Sequence, residues 1–272
     1  MGLRPPTNPL QYCEMNSGII EQMSSEVTMN IYEHDTQVAR YTQERNAEEL
    51  ELCRQALTNI ATGFNYSRGR AVKQTVEHEI IQLLALGFRA LRWSLEQLER
   101  GYYEQSISSA RLAWDAWLNG VYLENYPEAV EAWKDFETRP SPEKMRRLIA
   151  AKAGTHDLAV EARQALRDLY VGVKGKRFSG YSTFSHASAD AIAVLVRFED
   201  EKPILLIAGE HDKALLINAT HLFLTAASVL TSLFYVFIPD VKEFWLAHEA
   251  HKVAARRWTE RELSQAGASR SG

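Results

Sequence analysis

A chain of 272 residues, 46% hydrophobic and 24% charged, has the balance of an ordinary globular protein, with length for one large domain or two small ones. A net charge of −4 and a pI near 6.1 exclude a surface built throughout to grip nucleic acid, though they leave room for a local basic patch. Two cysteines, Cys13 and Cys53, are too few and too far apart for a metal site or a disulfide framework, which fits a reduced, cytoplasmic setting.

Residues 1–16 hold three prolines and little periodicity, and read as a loose arm without the apolar core of a signal peptide. Helical character begins near Ser17, with Ile19, Ile20, Met23, Val27 and Ile31 at roughly helical spacing. From Tyr41 to Phe64 the pattern is Glu-rich, anchored by Leu50, Leu52, Leu57 and Ile60. This predicts a long, partly exposed helix that breaks over Asn65 to Gly69. Residues 17–66 therefore form a helical extension in front of a core domain over 70–262.

Val76, Ile80, Leu83, Leu84, Gly87, Leu91, Leu95 and Leu98 keep one period and predict a helix over 71–100, ended by Gly101. The next helix begins by Glu104, so the tight turn makes an antiparallel hairpin of 71–100 and 104–123. Within the second helix, Ile107, Ala110, Trp114, Leu118 and Val121 share a stripe that Trp117 and Tyr122 widen. A face this broad and aromatic belongs at the centre of a core. Arg111 enters the stripe with Asp115 one turn on, placed to pair with it. Asn119 and Gly120 are expected to loosen the end of that helix.

Pro127 suits the first turn of a short helix, which Pro140 stops. Ser141 then caps another, with Pro142 at its first position, and Gly154 closes it. Thr155 to Val173 follows with Leu158, Ala162, Leu166, Leu169 and Tyr170 on one face. The irregular stretch Lys174 to Ser188 opens with Lys174, Lys176 and Arg177, a cluster that could hold a phosphate although it lacks the P-loop pattern. The apolar runs 191–198 and 204–207, parted by the turn EDEKP, read as a small β-hairpin.

Ala214 to Ile238 contains no Asp, Glu, Lys or Arg and is long enough to span a bilayer. Its hydroxyl residues and its flanks of mixed charge favour a helix buried in protein, not in membrane. Asp240 caps a last helix, and 263–272 reads as a disordered tail. In that helix His248 and His251 stand in HEAH, one residue short of the zinc-protease HExxH, so they read as part of a polar helix face. His221, inside the apolar helix, reads as a neutral, hydrogen-bonded histidine. No cofactor or metal is expected, and no nucleophile elbow or dinucleotide turn appears.

The segment ARLAWDAWLNGVYL, followed far downstream by YSTFSHAS, resembles the pattern of the DUF5677-type uncharacterised helical proteins, over about 70–235. The resemblance implies a site or network made of Arg111, Asp115, Tyr181, Ser185 and His186. Asp115 stands where that pattern has Glu, and Ser185 abuts His186 where a gap is more usual. Such families also resemble the HEPN helical bundles, whose ribonuclease members place His four to six residues after Arg. Here Arg70 to His78 and Arg177 to His186 are both too long. The expectation is a mainly α protein: a multi-helix bundle around the 71–100/104–123 hairpin, with one small β-hairpin. Its function is read as interaction or regulation without catalysis, with self-association as one form. The alternative is a HEPN-like protein that binds or cleaves RNA or a phosphorylated ligand at a polar pocket.

Overall fold

The structure is a computed structural model and describes residues 33–70, 75–152, 196–199, 202–205 and 211–268. Among these the chain is mainly helical. In chain order the elements are α1 (33–45), α2 (Ala47–Ser67), α3 (Thr75–Glu99), α4 (Tyr103–Asn125), α5 (Val130–Lys134), α6 (Pro142–Lys152), β1 (Val196–Glu199), β2 (Lys202–Leu205), α7 (Lys213–Ser232) and α8 (Lys242–Ala268). The helical reading of 17–31, the helix of 155–173 and the loop of 174–188 lie outside the described residues.

The helix expected from Tyr41 to Phe64 is two helices. Asn46 leaves the helical region at φ −129°, ψ 40°, and separates α1 from α2. Periodicity hides the break, because Thr42, Asn46, Glu49 and Leu50 are all buried across it. α3 and α4 form the expected hairpin. Their connection is Arg100–Gly101–Tyr102, and Gly101 takes φ 78°, a left-handed value that a side chain would disfavour. Ser94 Oγ ties the pair together, donating to the Ser106 carbonyl at 2.8 Å.

The predicted stripe of α4 is the centre of the core: Ile107, Ala110, Trp114, Leu118 and Val121 are all buried, as are Trp117 and Tyr122. Asn119 and Gly120 do not loosen the helix, which runs unbroken to Asn125. Tertiary contact overrides propensity at both positions: Asn119 Oδ1 accepts from Trp133 Nε1 of α5, and Gly120 lies against Leu233.

Ser141 caps α6 as expected, its Oγ accepting from the Lys144 amide at 3.3 Å, and Met145 and Ile149 face inward. Of the strands expected over 191–198 and 204–207, residues 191–195 and 206–207 lie outside the described residues. What pairs is a four-residue antiparallel ladder, Val196 opposite Leu205 and Glu199 opposite Lys202, and the architecture is helical without it. Asp212 caps α7, its Oδ1 accepting from the Leu215 amide at 2.9 Å.

α7 is the one helix among the described residues long and apolar enough to cross a membrane, by length and composition alone. Here it packs against α4, α2 and α3, burying Leu216, Ala219, Phe223, Ala226 and Leu230 among others. Its far end continues as a 3₁₀ turn, Leu233–Val236, and meets a glycine on each of those three helices. A Cβ on Gly63 of α2 would lie 2.6 Å from the Phe234 ring. On Gly87 of α3 it would lie 2.7 Å from Leu230, and on Gly120 of α4, 2.7 Å from Leu233. Three backbones thus close on one helix end, where a methyl group on any of them would require the facing side chain to shift. Beyond Pro239, the Asp240 carboxylate does not serve the next helix but accepts from Arg70 at 2.7 and 3.3 Å. α8 runs to Ala268, into the stretch expected to be an irregular tail, since Gln265 and Ala266 are good helix formers and no proline intervenes.

Candidate functional site

Three groups of polar side chains stand out. The first is the one the sequence marked. Arg111 Nε donates to both oxygens of Asp115, at 2.9 and 3.0 Å, the two side chains being 14% and 35% exposed. Burial pushes the Asp115 carboxyl above its ordinary value, and the positive charges of Arg111 and Arg146 only partly offset this. One turn further, Asn119 Oδ1 accepts from Trp133 Nε1 at 2.6 Å. Tyr126 OH donates to the Leu148 carbonyl of α6 at 3.0 Å. Arg111, Asp115, Asn119 and Tyr126 thus form a polar row along α4, its lower half tying down Trp133 of α5 and the end of α6. The other residues expected here, Tyr181, Ser185 and His186, and the basic cluster Lys174, Lys176 and Arg177, lie outside the described residues.

The second group is the HEAH pair, and the reading of it as a polar helix face is wrong. His248 and His251 are both buried, on the α8 stripe that includes Phe244, Trp258 and Glu262. Their spacing of three is that of a helix face turned to the core, and that face packs on α2. His251 Nε2 donates to the Leu52 carbonyl at 2.9 Å. His248 Nε2 has no hydrogen-bond partner, and burial pulls its imidazole down to about 4. Nearby on α2, burial pushes the Cys53 thiol far up, which leaves it a small apolar side chain without nucleophilic character. His221 is half-buried, with Nδ1 3.3 Å from Thr259 Oγ1 of α8.

The third group escaped the sequence reading. It lies where the α1–α2 junction meets the start of α7 and of α4. Asn46 Nδ2 is 3.0 Å from His211 Nε2 and 3.3 Å from the Thr42 carbonyl, while Asn46 Oδ1 accepts from Lys213 Nζ at 3.0 Å. Lys213 also pairs with the buried Glu49. Tyr41 meets the His211 ring edge-on, centroids 4.7 Å apart. The Tyr103 hydroxyl accepts from the Asp212 amide at 3.3 Å, and burial pushes that phenol up to about 12. Burial, with a contribution from Asp212, also raises the Glu104 carboxyl. The one local signal was Asn46, a good N-cap residue inside an otherwise Glu-rich helical run.

Among the described residues no group of three or more His, Cys, Asp or Glu side chains is placed to share a metal ion. No protein-family model, no curated protein and no solved structure matches the chain.

Proposed function

We propose that this protein is an interaction or regulatory module without catalysis, built as a multi-helix bundle around the α3–α4 hairpin, with α7 as a core helix and the cytoplasm as its setting. The observation that carries the reading is the surface. Trp93 is 57% exposed one heptad from the exposed Leu86 on α3, and Leu246 is 71% exposed one heptad from the exposed Val253 on α8. Large apolar side chains at turn spacing on an outer helix face are what a partner helix or a second copy buries. The polar row of α4 supports the same reading, because Asn119 and Tyr126 are engaged in joining helices.

A second reading has one observation in its favour: Arg111 and Arg146 both lend positive charge beside Asp115, as a pocket for RNA or a phosphorylated ligand would need. That is the HEPN-like alternative, with the DUF5677-type pattern behind it.

The two part on Arg111. Under the first reading, Arg111→Met lowers stability by about 1 kcal/mol, less than a fully buried pair would because Asp115 is 35% exposed. Arg111→Met combined with Asp115→Leu then recovers part of the loss in thermal unfolding. Trp93→Lys and Leu246→Lys leave the melting temperature in place and abolish self-association or partner binding, read by light scattering. An Arg111→Met variant as stable as the wild type that no longer retains a single-stranded RNA oligomer would replace the first reading with the second. Recovery of the whole chain in an alkaline-washed membrane pellet would sink the core-helix assignment of α7.

A further inference from the structure

We propose that the joint between the start of α2 and the start of α7 is a proton-sensitive latch, closed while the His211 imidazole is neutral and loosened when it takes up a proton. The argument rests on hydrogen-bond arithmetic at Asn46. Its side-chain amide has one end that only donates and one that only accepts. The neighbours decide which end points where. The Thr42 carbonyl can only accept, and it lies 3.3 Å from Nδ2. The Lys213 ammonium can only donate, and it lies 3.0 Å from Oδ1. The amide orientation is therefore dictated by its surroundings. His211 Nε2, 3.0 Å from Nδ2, must then accept, which makes the ring neutral with its proton on Nδ1.

A second observation shows that this arrangement is maintained at a local cost. Asn46 occupies the N-cap position of α2, where an asparagine ordinarily accepts from an amide of the first turn. It makes no such bond here. Its side chain is committed instead to His211 and Lys213, about 165 residues away in sequence.

Protonation at Nε2 turns the acceptor into a donor aimed at another donor. The amide cannot answer by flipping, because Nδ2 would then face the Lys213 ammonium. The titratable and charged groups at the joint come from every element packed there. α1 contributes Arg45, which lies over the Tyr41 ring at 5.5 Å. α2 contributes Glu49, α4 contributes Tyr103 and Glu104, and α7 contributes Lys213 with its cap Asp212. Glu49 already pairs with Lys213, so that carboxylate is engaged when the new charge forms.

The test is proton NMR and amide hydrogen exchange on the full chain, with histidine nitrogens labelled. At neutral pH the wild type should show His211 Nε2 unprotonated. Once the labelled ring nitrogens of His211 report proton uptake, the amides of Leu50, Leu215 and Leu216 should exchange several-fold faster than the intrinsic pH dependence allows. His211→Gln, whose carbonyl oxygen accepts from Asn46 at any pH, should abolish that change. Asn46→Asp should reverse its sign, because a carboxylate welcomes the Nε2 proton. Three results would each overturn the latch: an Nε2–H tautomer in the neutral wild type, an equal acceleration in His211→Gln, or an unreversed response in Asn46→Asp. The tautomer and the Asn46→Asp arm decide the matter even if His211→Gln does not fold.

Discussion

The two ends of α7 are held by opposite means. At its far end Leu230, Leu233 and Phe234 fit against Gly87, Gly120 and Gly63, and shape makes most of the joint, with one directed bond to α4 from Trp117 Nε1 to Ser232 Oγ at 3.2 Å. At its near end the Lys213–Asn46–His211 chain and the Asp212 cap make the joint through directed bonds. Dispersion and burial scarcely depend on pH but respond to a single methyl group. Hydrogen bonds between partly exposed groups tolerate changes of volume but respond to one proton. One helix thus carries a rigid anchor and a responsive one.

Trp114→Ala gives the largest effect expected of the shape-held half. Trp114 is buried with its ring 4.6 Å from that of Trp117, and emptying that site should cost about 3–5 kcal/mol. Thermal unfolding reads it, and a midpoint within a degree or two of wild type would mean the stripe is not core.

Next comes acid. His248 is buried with its imidazole pulled down from 6.5 to about 4, so the folded state binds fewer protons than the unfolded state between those values. Stability should therefore be intact above pH 6.5 and fall as the pH drops toward 4, by about 3 kcal/mol in all. His248→Leu should remove that slope without loss at neutral pH, since Nε2 has no partner to strand. Denaturant unfolding at a series of pH values separates this global effect from the local loosening at His211. A slope that survives in His248→Leu would assign the acid sensitivity elsewhere.

The glycines test the anchor directly. Gly63→Ala places a methyl 2.6 Å from the Phe234 ring, which is flanked edge-on by Phe64 and Phe244 and has nowhere to turn. Overpacking of about 1–3 kcal/mol set against a gain of about 1 in helix propensity leaves an expected net loss of up to about 2 kcal/mol. Gly87→Ala meets the mobile methyl ends of Leu230 and should be close to neutral. Equal effects at the two sites would show that backbone freedom, not shape, decides. Asn46→Ala at the other end should cost only about 1 kcal/mol, because Lys213 and His211 can turn to water. A much larger loss in the same denaturant assay would make the near end as rigid as the far one.

The sequence by itself determined the helical class, the α3–α4 hairpin, the buried stripe around Trp114 and the Arg111–Asp115 pair. Each of these is a matter of spacing within one helix or across one tight turn, and 3.6-residue periodicity reports which face turns inward. It marked α7 as apolar all round but could not say what surrounds it. Only the tertiary structure decided that three glycines on three helices close on its end. It also decided that the HEAH face turns inward, and that Asn46 breaks a helix to reach His211. Those outcomes depend on partners up to 199 residues apart. A glycine is a gap only if another helix brings a side chain to fill it. An asparagine becomes a hub only if an acceptor and a donor arrive on either side of its amide.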